Sequence, residues 1–236
     1  MACAGGAVSD FSASFRQGLK DIAPLILAYV PIGLLWGTLA AGKGFSALEA
    51  MLMSVFVYAG ASQFVAVDMW REPVPVVLLA VTALVVNLRH VLMSASISRH
   101  IKTVPKRWRY GLMFILTDES WAMAERRARL APINLGYLLG TFVPLWPTWF
   151  VCSFIGAAVG KSLGDLAAYG LDFAFSAIFL TILMGFWKGP RTGAVIVASG
   201  VAAVAAKLWL PGAWYIMAGG VAGVVVGALF HAEAEI

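Results

Sequence analysis

Long apolar runs separated by short polar stretches make up nearly the whole chain. They fall near 21–41, 46–70, 74–97, 109–124, 135–160, 166–187, 191–210 and 213–230. Within each run apolar residues follow one another instead of alternating, which favours helices over the strands of a membrane barrel. Several runs reach about 20 residues, the length a helix needs to cross a hydrocarbon core of roughly 30 Å. Lipid offers the backbone no hydrogen bonds, so spanning segments must satisfy their own. The pattern predicts an all-α integral membrane protein, a polytopic helical bundle of about seven to eight membrane segments.

Composition agrees with the pattern. The 236 residues are 61% hydrophobic and 12% charged, against roughly 25% charged in soluble domains. Such a chain cannot cover a water-facing surface, and no stretch reads as a soluble domain. The expected organisation is a short N-terminal tail (1–20), one transmembrane domain (21–230) and a C-terminal tail (231–236). Residues 1–20 lack the apolar core of a cleavable signal. Cys3 and Cys152 have no metal-ligand spacing and read as free thiols. Trp70, Trp108, Trp187, Trp209 and Trp214 lie near segment ends, as an interfacial belt requires.

The formal charge of +5 bears on topology, since basic loops of membrane proteins face the cytoplasm; nucleic-acid binding is a poor explanation for it. Arg99, Lys102, Lys106, Arg107 and Arg109 form one basic loop, and Arg126, Arg127 and Arg129 another. If 109–124 crosses the membrane, these loops lie on opposite sides. If it dips in and returns, both stay inside. Arg16 and Lys20 pose the same conflict, and a broken hairpin at 46–70, turning at Gly60–Gln63, resolves it. The plain alternative is eight full spans with one charge preference violated.

Polar residues gather at three places inside the apolar runs. In YAGASQF (58–64), small residues beside Gln63 suit an unwound helix that offers Ser62, Gln63 and backbone groups to a ligand. A small-residue packing face, with Gln63 bonded to a neighbour, is the structural alternative. In NLRH (87–90), helical spacing puts Asn87, His90, Val91 and Ser94 on one face, with Arg89 turned about 200° from Asn87. Arg89 lies roughly 13 Å of helical rise from Ser98, far for snorkelling, so it needs an anion inside the bundle. In LTDES (116–120), Asp118 and Glu119 diverge on a helix, so one can face Arg89 or His90; the alternative is a pair of interface charges. Asp172 is a weaker candidate. No P-loop, metal-binding signature or Ser-His-Asp arrangement appears, so neither an enzyme, a cofactor nor a metal is expected.

VYAGASQF, LVVNLRHVLMS and LTDESWA, preceded by APLILAYVPIGLLWGTLA and followed by LDFAFSAIFL and GGVAGVVVGAL, resemble in their order the large subunit of branched-chain amino-acid exporters of the AzlC/BrnF type. The resemblance covers nearly the whole chain. It implies export of leucine, isoleucine, valine and often methionine across the cytoplasmic (inner) membrane, driven by the proton-motive force. It also implies a separately encoded small membrane subunit of the AzlD/BrnE type. It assigns no role to individual residues. From the chemistry alone, Ser62, Gln63, Asn87, Arg89 and Ser94 are the candidate substrate ligands. His90, Asp118 and Glu119 are the candidate proton-coupling groups. A passive channel for small neutral solutes and a structural subunit without its own site are the competing classes.

Overall fold

The computed structural model describes residues 4–163, 189–210 and 214–232, with single positions 180, 184 and 187. The segment expected at 166–187 lies outside the described residues except for Leu180, Met184 and Trp187, and Asp172 and Cys3 lie outside them entirely. The described residues form helices and no strand: α1 (Ala4–Gly42), α2 (Ala47–Phe56), α3 (Gly60–Asp68), α4 (Val76–Ser98), α5 (Lys106–Phe114), α6 (Asp118–Ala128), α7 (Leu135–Phe142), α8 (Leu145–Leu163), α9 (Pro190–Trp209) and α10 (Trp214–Ala232). Four stretches are long and apolar enough to cross a membrane: Phe11–Gly42, Val76–Ser98, Leu135–Ser162 and Pro190–Trp209. α1 begins well ahead of the first apolar run, taking the polar residues from Ala4 into helix.

Two compact units are present, one of residues 1–70 and 86–171, the other of 71–85 and 172–236. In the second unit, α9 and α10 pack antiparallel through small residues. Gly219 lies against Ser199 and Ala203, and Gly223 against Ser199. Lys207 sits over the Tyr215 ring at 4.8 Å.

The frame of the first unit is α1 laid along α7 and α8. Gly136 meets the backbone of Phe11, Gly140 that of Phe15, Gly156 that of Leu34 and Gly160 that of Thr38. Both series rise together, so the helices run parallel. Glycines four apart on both partners (Gly33 and Gly37; Gly156 and Gly160) let the backbones touch, the usual way to gain packing where lipid supplies no hydrophobic drive. Thr38 adds an Oγ1 hydrogen bond to the Gly156 carbonyl at 3.1 Å. Cys152 is buried and free beside Gly33.

Against this frame sit two hairpins. After α1, a turn through Gly44 (φ 93°) leads to Ser46, which caps α2 reciprocally with Glu49. α2 stops at Val57, and α3 returns from Gly60. The Phe45 and Trp70 rings then meet edge to face, 4.6 Å between centroids, so the chain leaves beside the place it entered. The second hairpin is α5 and α6. Arg89 meets Asp118, while Ser96 and His100 meet Glu125. α4 and α6 therefore run alongside in the same direction, and α6 ends beside the end of α4, where α5 began. The run at 46–70 and the run at 109–124 are thus both broken into two short helices that double back. The first turn differs from the expected one. It lies at Val57–Ala59, and Gly60–Gln63 is already the first turn of α3.

Candidate functional site

The two hairpin tips face one region of the first unit. At the first tip, Tyr58 is 7% exposed, and Gly60 opens α3 with no side-chain cap on its N-terminus. Trp149 of α8, almost fully buried, lies with its six-membered ring where a Cβ on Gly60 would come within 3.2 Å. Only glycine accepts so close a ring without displacement. The same indole meets Tyr29 of α1, 4.9 Å between centroids.

Gln63 lies fully buried behind this tip. Its Oε1 accepts from Trp149 Nε1 at 2.8 Å, and its Nε2 donates to Ser54 Oγ at 3.0 Å. Ser54 and Ser153 share a 2.7 Å hydrogen bond, and Ser153 donates to the Trp149 carbonyl. The ring of bonds closes on itself and ties α2, α3 and α8 together. Gln63 is spent in it, which is the packing alternative the sequence allowed. Trp149 gave a signal that the sequence reading passed over: an indole N–H deep in an apolar run must find an acceptor.

At the second tip, α5 stops at Ile115 and Thr117 caps α6 reciprocally with Ser120. Asp118 and Glu119 occupy the first turn of α6, where the helix dipole favours carboxylates. Asp118 Oδ2 accepts from Arg89 Nη1 at 2.6 Å. This answers which carboxylate pairs with Arg89. Glu119 takes the other direction, and its charge reaches Tyr29 and Tyr58. The His90 imidazole lies beside the carbonyls of Asn87 and Leu116, the latter at the second break.

On α3 and α4, polar atoms lack partners. Ser62 Oγ, Asn87 Oδ1, Arg89 Nε and His90 Nδ1 are each shielded from solvent and without a hydrogen bond. Buried polar groups are normally paired, and three of these four atoms belong to one turn of α4. Ser94 lies one turn beyond His90 and is half-buried. Val91, expected on the Asn87 face, is 64% exposed; the stripe therefore divides, with its Val91 edge outward.

The first unit thus carries two broken helices, an internal ion pair and unsatisfied polar atoms. Residues 24–163 match the family model described as AzlC protein, and the chain belongs to that family. The match takes in both hairpins. Relatives include an uncharacterized membrane protein of Archaeoglobus fulgidus, 33% identical over 81% of this chain and 84% of that one. Another is the inner membrane protein YgaZ of Escherichia coli, 32% identical over 79% of each. A third is the branched-chain amino acid transport protein AzlC of Bacillus subtilis, 26% identical over 78% of this chain and 72% of that one. No solved structure matches.

Proposed function

We propose that this chain is the transporting subunit of a secondary exporter of branched-chain amino acids in the cytoplasmic (inner) membrane, working with a small membrane subunit of the AzlD/BrnE type. One observation carries the reading: the tips of two broken helices come together where Glu119 lies near Tyr29 and Tyr58, beside the Arg89–Asp118 pair and the unpaired polar atoms of α4. Opposed hairpins around a midplane site suit alternating access, since either can move while the other stays seated. The name printed for the Bacillus subtilis relative supports the cargo.

The substrate is a zwitterion with an apolar side chain. Its carboxylate takes Arg89 Nε and the uncapped N–H groups at Gly60, with Ser62 beside them; Asn87 and Ser94 complete the polar wall. Its ammonium faces Glu119. Gln63 serves from behind by fixing the first tip. Tyr58, Met93 and their neighbours give an apolar surface, and such a surface separates leucine from valine by only about 1–3 kcal/mol, so specificity across branched chains is broad. His90 carries the coupled proton, its intrinsic pKa being nearest neutrality, with Asp118 and Glu119 as its carboxylate neighbours.

Counterflow of labelled leucine in proteoliposomes, with and without a pH gradient and with and without the small subunit, tests this. Wild type exchanges leucine saturably and responds to the gradient, whereas His90→Gln exchanges without responding. Non-saturating flux indifferent to the gradient is the mark of a passive channel and sinks the reading.

A further inference from the structure

We infer that the first unit carries a second binding site, for the phosphate of an anionic phospholipid, in a cavity on its basic side. The cavity holds about 430 Å³ and is walled by α1, α6 and α7. Lys20, Arg126 and Arg127 bring three cations to it, and Asp21 is its one carboxylate. Asp21 is already engaged, its Oδ1 accepting from Gln17 Nε2 at 2.7 Å and its Oδ2 from the Tyr137 hydroxyl at 3.0 Å. Among the described residues no carboxylate pairs with any of the three cations. The Arg127 guanidinium stacks over the Tyr137 ring, 5.2 Å from its centroid. That contact fixes the fork, yet Arg127 Nε is buried with no acceptor. A held guanidinium with an unfilled donor, flanked by two more cations, calls for an oxyanion.

The remaining walls say which one. Pro24, Met123 and Leu130 line the same cavity, and Leu130 is 75% exposed. A free phosphate has no use for an apolar wall, whereas a lipid lays its glycerol and upper acyl chain there. The position fits as well. Lys20 starts the apolar part of α1, and Arg126 and Arg127 end α6, at the level where phosphates lie. Basic pockets between helices on this side of a membrane hold anionic headgroups. None of the residues proposed to touch the transported amino acid lines this cavity, so the site stands apart from that reading.

Native mass spectrometry of the full chain from mixed phosphatidylglycerol and phosphatidylcholine vesicles tests the inference. The wild type retains phosphatidylglycerol preferentially. Removing one cation lowers retention about fivefold, since each basic residue near the surface contributes roughly 1 kcal/mol, so Arg126→Gln alone gives a measurable loss. Joint replacement of Lys20, Arg126 and Arg127 by Gln abolishes the preference. Replacing Lys102 and Arg107 by Gln removes charge from the same side but outside the cavity, and leaves retention unchanged. An equal loss in that control assigns the lipid to bulk charge and overturns the site. Displacement by inorganic phosphate, with no preference between the two lipids, overturns the lipid in favour of the free anion. Should the triple variant fail to fold, the Arg126→Gln and control pair decides.

Discussion

Arg89 Nη1 and Asp118 Oδ2 lie 2.6 Å apart, joining the middle of α4 to the first residue of α6. One bond thus links the long apolar α4 to the tip of the second hairpin. Each side chain is about a third exposed, and Arg89 Nε stays without a partner. Neutralising one member leaves its partner uncompensated, which costs about 3–5 kcal/mol for a buried pair and less for this part-open one. Arg89→Gln and Asp118→Asn are each expected to melt below wild type in detergent. The double variant is expected to recover much of that loss, yet without leucine exchange. A double variant no more stable than the singles contradicts the coupling.

The hairpins make a topological expectation independent of any substrate. In a chain with Cys3 and Cys152 replaced by Ser, single cysteines at positions 43 and 68 should label from one side of the membrane. Single cysteines at 102 and 129 should both label from the other. Impermeant maleimide on intact cells and on inverted vesicles reads this directly. Labelling of 43 and 68 from opposite sides makes α2 and α3 a plain span and removes the first hairpin.

Much of this was legible in the sequence, for a physical reason. Charges near helix ends obey a side preference, so conflicts among Arg16, Lys20, the 99–109 loop and Arg126–Arg129 pointed to the two runs that are broken into short helices. Helical spacing turned Arg89 away from Asn87 and toward an anion. What the sequence did not show was which polar residues satisfy one another. Gln63 looks available in YAGASQF, but it bonds to Ser54 and Trp149, and those two lie 9 and 86 residues away by number. Pairing at that separation depends on how α2, α3 and α8 meet, which no local pattern encodes. The break at Val57–Ala59 was misplaced for the same reason, since Trp149 on Gly60 determines where α3 can begin.

Trp149 therefore has an effect that its ring area alone does not give. Trp149→Phe keeps an aromatic ring against Tyr29 but removes the N–H that Gln63 Oε1 accepts. A buried acceptor left unpaired costs about 1–3 kcal/mol. The variant is expected to melt lower by a corresponding amount, and Gln63→Leu in that background to cost less than in wild type, because only the bond to Ser54 is then left to lose. If the two losses add, the closed ring of bonds is not one unit.

The α1–α8 seam yields the sharpest contrast among the glycines. A Cβ on Gly160 would come 2.8 Å from the Thr38 Cα, and one on Gly37 within 2.7 Å of the Ala157 nitrogen. Both encounters are with backbone, which cannot rotate aside, so the helices must separate. Separation also breaks the Thr38–Gly156 hydrogen bond, and in lipid no hydrophobic gain offsets the lost contacts. Gly111 and Gly200 have open space at the same position. Gly37→Val and Gly160→Val are expected to prevent a monodisperse protein from being recovered, while Gly111→Ala and Gly200→Ala behave as wild type or slightly better, since alanine favours a helix over glycine by about 1 kcal/mol. Size-exclusion profiles of the four variants, purified alike, measure the difference. Normal elution of Gly37→Val would mean that α1 and α8 do not touch at this seam, and the frame on which both hairpins rest would have to be redrawn.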